Sequence, residues 1–175
     1  MSYTPIPIDA FSVSAKGISW EHSVIHLGET FRYSDSITLG SGASQDYWIQ
    51  TPAAGKRMHL TFQGDGVAIT SFFLFEGTDR AGTTVQPIYN AFRDSVTASQ
   101  ATIKKGTSGG TTDGTLIQTY ASGAGAIVSR ASSNEEHRNE WILKLNTAYI
   151  FRITSGTAAN LCNVLFDWYE HVSGT

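Results

Sequence analysis

Five residues carry the most conspicuous chemical pattern of the chain: Gly106-Thr107-Ser108-Gly109-Gly110 match the Gly-x-Ser-x-Gly form of a nucleophile elbow. In that motif a strained strand-to-helix turn lifts a serine hydroxyl beside an oxyanion hole. Here Thr111-Thr112-Asp113-Gly114 follow, a second turn in place of a helix, and no alternation of strands and helices surrounds them. The segment reads as a loop tip, Ser108 as inert, and the chain as a protein without enzymatic activity or cofactor.

The remaining reactive types lead to the same expectation. His22 and His26 stand four apart and could share one face of a strand or of a helical turn, but a third metal ligand is missing nearby. Glu135, Glu136, His137 and Glu140 form an acidic cluster that reads as solvated surface, and no pair among the acids is placed by sequence as glycoside hydrolysis requires. Cys162, the single cysteine, lies between Leu161 and Asn163 and reads as a small buried hydrophobe. Trp20, Trp48, Trp141 and Trp168, with Tyr33, Tyr47, Tyr89 and Tyr120, would stack on sugar rings if exposed. Trp141 and Trp168 sit in alternating segments and read as core.

The elements that would hold these residues are strands. Ser, Thr and Gly supply 56 of 175 residues and charged residues only 15%, a palette unlike that of helical bundles, while 11% aromatics and a formal charge of −3 do not fit disorder. That charge, with basic residues scattered and Lys104-Lys105 the only adjacent lysine pair, leaves no footprint for nucleic acid. Apolar runs reach only four residues, as in Phe72 to Phe75, so no membrane-spanning helix is expected. The opening residues show neither a basic start nor an apolar stretch, and Asn-x-Ser/Thr sequons are absent, which points to synthesis in a reducing cytoplasm.

Residues 1–17 read as an extended arm. Pro5 and Pro7 hold the backbone open, and Ile6, Ile8, Phe11 and Val13 are apolar anchors that a solvated tail would not need. Residues 18–175 read as one domain of short period-two segments: Ser23 to Leu27, Phe31 to Leu39, Tyr47 to Thr51, Arg57 to Gln63, and Val67 to Phe75 after a Gly64-Asp65-Gly66 turn. From Glu76 to Ser129 glycines divide shorter pieces, Thr84 to Tyr89, Thr97 to Ile103 and Leu116 to Tyr120, and long exposed loops are expected. Ser133-Asn134-Glu135-Glu136 has capping-box form. Trp141 to Ile153 reads as a hairpin pointing Trp141, Leu143, Tyr149 and Phe151 inward, and Leu161 to His171 as the last strand. Together these give an all-β antiparallel β-sandwich, with the jelly roll first among its topologies.

Several phrases recur in a known order: Val24-Ile25-His26-Leu27-Gly28 before Phe31-Arg32-Tyr33-Ser34-Asp35; Phe75-Glu76-Gly77 before Asn90, Arg93 and Ser95; Arg138-Asn139-Glu140-Trp141-Ile142-Leu143-Lys144 before Thr147 to Arg152; and Asp167-Trp168-Tyr169-Glu170-His171. In this the chain resembles the β-sandwich decoration, or cement, proteins of tailed bacteriophages. The resemblance implies a structural protein of the virion, made in the bacterial host cytoplasm, that binds the outer capsid surface where major capsid protein subunits meet. Shell symmetry then implies a homo-oligomer, a trimer before a dimer. The alternative is a tail or fibre module with a lectin-like role, whose mark would be an exposed aromatic pair near Asp or Asn.

Overall fold

The computed structural model describes residues 20–123 and 140–172. The expected arm, with Pro5, Ile6, Pro7, Ile8, Phe11 and Val13, and the capping box at Ser133 to Glu136 lie outside the described residues. Within them are one short helix, α1 (Trp20–His26), and eleven strands. In chain order these are β1 (Thr30–Leu39), β2 (Ser44–Gln50), β3 (Lys56–Gly66), β4 (Thr70–Glu76), β5 (Ala81–Val85), β6 (Tyr89–Asn90), β7 (Thr102–Ser108), β8 (Thr115–Ser122), β9 (Trp141–Ile142), β10 (Ala148–Ser155) and β11 (Asn160–Val172).

All pairings are antiparallel, and they build two sheets. Sheet I runs β6-β1-β11-β3-β9, and sheet II runs β5-β7-β2-β10-β4-β8. The sheets form a β-sandwich. Four of the pairings are nested: β1 with β11, β2 with β10, β3 with β9 and β4 with β8. The chain thus behaves as one long ribbon, folded back on itself and wrapped so that β1 to β4, and likewise β8 to β11, alternate between sheets.

Period-two patterning explains the core. In β11 the even positions from Asn160 to Glu170 are buried while most odd positions face outward. Sheet I contributes Phe31, Tyr33, Met58, Leu60, Phe166 and Trp168, and sheet II contributes Tyr47, Ile49, Phe72, Leu74, Tyr149, Phe151 and Ile153, to a single buried cluster. Its centre is aromatic. Phe166 meets Tyr47 edge-on at 5.8 Å between ring centroids and Phe151 at 5.1 Å, while Tyr33 stacks on Phe166 at 6.0 Å. Edge-on contacts of this kind join the two layers and favour one packing over its neighbours.

Four expectations are corrected. Ser23 to Leu27 belongs to a helix end, because Gly28 takes φ +71° and closes a paired cap. Its N–H donates to Ile25 O and that of Glu29 to Val24 O, which satisfies carbonyls a helix leaves open. Gly64 and Gly66 do not turn the chain; both lie within β3, where a Cβ on Gly64 would strike the Phe72 ring and one on Gly66 the Thr70 hydroxyl. The turn comes at residues 67–69, leaving Val67 exposed and starting β4 at Thr70. Similarly, Thr97 to Thr102 is mostly loop, with β7 running from Thr102 to Ser108.

The fourth correction concerns Trp141 to Ile153, which is not a hairpin. β9 pairs with β3 in sheet I, and Leu143 N continues that edge by donating to Met58 O. Asn146, at φ +48°, then turns the chain, and β10 enters sheet II between β2 and β4. Alternation within each strand is the same for a hairpin and for a crossing between sheets, so the pattern does not distinguish them. Leu143, Tyr149 and Phe151 do point inward. Trp141 is only half-buried, its Nε1–H donating to Gln118 Oε1 at 2.7 Å. Trp168→Ala should therefore cost about 3–5 kcal/mol in urea unfolding followed by circular dichroism, and Trp141→Ala about 1–2 kcal/mol.

Candidate functional site

Ser108 ends β7 opposite Ala81 and is exposed. Gly109 and Gly110 follow at positive φ, and Thr111 and Thr112 donate their N–H groups to Asp79, so the chain makes a clamped turn where an elbow would begin a helix. His26 is exposed at the end of α1, edge-on to Phe92. Among the described residues no three His, Cys, Asp or Glu side chains gather as metal ligands. Cys162 is buried, with Thr70 Oγ1 3.8 Å from its Sγ.

The structure draws attention to residues 77–114, an excursion between β4 and β8 that supplies β5 and β7 to sheet II and β6 to sheet I. Its roots are held by buried or half-buried charge. Glu170, 2% exposed, accepts from Ser99 Oγ at 2.5 Å, from Gln100 N at 2.9 Å, from Ala101 N at 3.1 Å and from Trp168 Nε1 at 3.2 Å. These oriented donors replace the water that burial removed from the carboxylate.

A second cluster sits on the outer face of sheet II. Arg152 grips Asp46 with Nε at 2.6 Å and Nη2 at 2.9 Å, and reaches Asp113 Oδ2 with Nη1 at 2.6 Å. Arg80 donates to the other Asp113 oxygen at 2.6 Å, and Arg80 O accepts the Trp48 indole N–H. The Arg152 guanidinium, then that of Arg80, hold the Asp113 carboxyl below its ordinary value of 3.8, against the opposing effect of burial. Between the sheets, Asp35 accepts from Lys105 Nζ at 2.6 Å and from Tyr47 Oη at 2.8 Å. Burial works against its ionisation, but these two donors leave its pKa lowered. Burial and the Asp35 carboxylate push the Tyr47 hydroxyl far up.

Outward from these roots the excursion exposes apolar side chains: Val96 completely, Val85 at 66%, Tyr89 at 53% and Phe92 at 38%, with Leu27 exposed on the adjoining turn. The segment carrying Tyr89, Phe92 and Val96 lies against the α1–β1 junction. Asn90 Nδ2 donates to Gly28 O at 2.7 Å, and Ala91 N donates to Thr30 O at 2.8 Å. A Cβ on Gly28 would collide with Ser95. Tyr89 and Phe92 flank Asn90 as the lectin-like alternative asks, yet that amide is engaged internally, its oxygen accepting from Phe92 N and its nitrogen also donating to Thr97 O. From the sequence this stretch falls in the region of expected exposed loops, where Tyr89 ends a β-prone piece and Asn90, Arg93 and Ser95 enter only through the resemblance; Phe92 and Val96 follow neither period and carry no local signal.

Two further groupings lie on the outer face of sheet I. His59 Nδ1 and Glu140 Oε1 are 2.8 Å apart, Tyr169 Oη donates to the same oxygen at 2.6 Å, and the Tyr169 ring stacks on His59 at 4.4 Å. Farther along the sheet, a groove of about 580 Å³ opens over β1, β11 and β3. No known protein family, curated protein or solved structure matches the chain.

Two measurements check the anchors. Glu170→Ala leaves the Ser99 to Ala101 donors unpaired in the core and should cost about 3 kcal/mol, with hydrogen exchange accelerating first in residues 99–101. Asp113 has a folded pKa below its ordinary value, so its contribution is complete above pH 3.8 and is lost as pH falls through the lower, folded value. Asp113→Asn should therefore lower the thermal midpoint at neutral pH and flatten its acid limb.

Proposed function

We propose that this chain is a structural bacteriophage protein that decorates the assembled capsid, binding its outer surface where major capsid protein subunits meet and stabilising the shell. The observation that carries the reading is the pinned excursion. Its backbone is fixed by Asp79 and Asp113 within it and by Glu170 of β11, while its apolar side chains at Val85, Tyr89, Phe92 and Val96 face outward. Apolar groups held on a rigid support suit a surface that another protein covers. The resemblance of its residue phrases to those of capsid decoration proteins points the same way.

The sandwich itself we read as a jelly roll. Strand orders β1-β11-β3-β9 and β2-β10-β4-β8, with their nested pairs, support it, since a long antiparallel ribbon rolled into two sheets produces this order. The excursion then extends both sheets at the closed end of the ribbon. Residues 1–17 serve as the arm, Ile6, Ile8, Phe11 and Val13 supplying its anchors and Pro5 and Pro7 its extended form. The assembled form is a trimer, or failing that a dimer, at a symmetric position on the virion surface. Binding only the assembled shell stabilises it by mass action.

Cosedimentation with empty shells tests the reading. The full chain should pellet with shells and raise their melting temperature. Phe92→Ser and Val96→Asp should weaken pelleting about tenfold without moving the melt of the free protein by more than about 2 °C, as exposed positions allow. Removal of residues 1–13 should weaken it as well. Absence of both pelleting and shell stabilisation for the intact chain would refute a decoration role.

A further inference from the structure

The outer face of sheet I carries a feature that a shell-binding role leaves unused. Across β1, β11 and β3, Ser36, Asn163 and Asp65 lie in one row, and Ser34, Leu165 and Gln63 in the next. Short side chains leave the groove of about 580 Å³ above them. The next row, where Arg32 pairs with Asp167 at 2.6 Å, stands at one end. Ser36 Oγ donates to Asn163 Oδ1 at 2.6 Å, and Asn163 Nδ2 donates to Asp65 Oδ1 at 2.7 Å. This chain of bonds sets the orientation of the amide and leaves the second Asp65 oxygen as an acceptor. In the adjacent row the Ser34 hydroxyl and Gln63 amide offer both donors and acceptors on either side of the apolar Leu165.

We propose that this groove binds a neutral saccharide through Asp65, Asn163, Gln63 and Ser34, with Leu165 under the ring. The chemistry selects that class. A sugar hydroxyl donates and accepts at once, which matches a carboxylate beside an amide, and the C–H face of a ring matches an isolated leucine between polar groups. None of the lining residues is cationic, and Asp65 adds negative charge, so phosphate, sulfate and nucleic acid are disfavoured. Neighbouring strands place the side chains of one row about 5 Å apart, within the span of one ring, and the volume is that of a small-molecule site. The proposal does not rest on capsid binding, because none of Val85, Tyr89, Phe92 and Val96 lines the groove.

Amide-resolved NMR titration of the full chain with cellobiose, lactose, maltose and chitobiose, and with inorganic phosphate as control, tests it. At least one disaccharide should shift the amides of residues 34–36, 63–65 and 163–165, up to about 50 mM ligand, the range in which a shallow site saturates. Asp65→Ala and Gln63→Ala should each weaken that binding about tenfold. Gln63 is exposed, so its variant keeps the test open if Asp65→Ala disturbs the sheet. Shifts with no disaccharide, shifts that survive both variants, or shifts with phosphate alone would overturn the assignment. Loss of shell binding with intact saccharide binding would leave this inference standing and remove the capsid reading.

Discussion

A buried carboxylate in the last strand governs how the middle of this chain is held. Glu170 occupies an inward position of β11, one turn of the pleat beyond Trp168, where patterning calls for an apolar residue. Its oxygens accept from the backbone at Gln100 and Ala101 and from the Ser99 hydroxyl. A charge in that position is tolerable only if several donors converge on it. Segment 99–101 supplies them, and is in turn given hydrogen-bond partners that a loop at a sandwich rim would otherwise seek from water. The strand and the loop are thus each other's condition.

The nested strand pairs give that interaction its leverage. Because β1 pairs with β11 along ten residues and β3 with the other edge of β11, the last strand is the middle of sheet I and is hydrogen-bonded on both edges. Fastening the excursion to it carries that constraint outward. On the other face, Arg152 in β10 does the same, since β10 also lies inside its sheet and its guanidinium binds Asp46 and Asp113 together. The two anchors lie on central strands of opposite sheets. An excursion held from both layers keeps its register even though its own β6 has only two residues.

Strand periodicity made β1, β2, β3, β10 and β11 legible from the sequence, along with the aromatic composition of the core. The same periodicity concealed three things. It does not say which sheet a strand enters, so Trp141 to Ile153 resembled a hairpin. Glycine chosen for close approach, as at Gly64 against Phe72, looks like glycine chosen for a turn. A seven-residue helix with Val24 inward reads as alternation until Gly28 is recognised as its stop. The anchors were illegible for a different reason: Glu170 meets Ser99 and Arg152 meets Asp113 only after folding, and local spacing carries no trace of pairs separated by tens of residues. The groove likewise depends on register across three strands.

Where the fold accepts added chain bears on where function can sit. A nested ribbon requires continuous pairing along its length, and an insertion between β1 and β2 or between β10 and β11 would disturb a corner where the chain changes sheets. At the closed end, between β4 and β8, the two strands need only a turn, and lengthening a loop costs little, about 0.6 kcal/mol for each doubling. Residues 77–114 occupy that end. There the chain has room to display Val85, Tyr89, Phe92 and Val96 without altering the nested pairs. The cost falls on fixing the added segment, which would otherwise be ordered at about 1–2 kcal/mol per residue on each binding event. Glu170, Asp79 and the Arg152 cluster meet that cost during folding, so the apolar surface is presented preorganised.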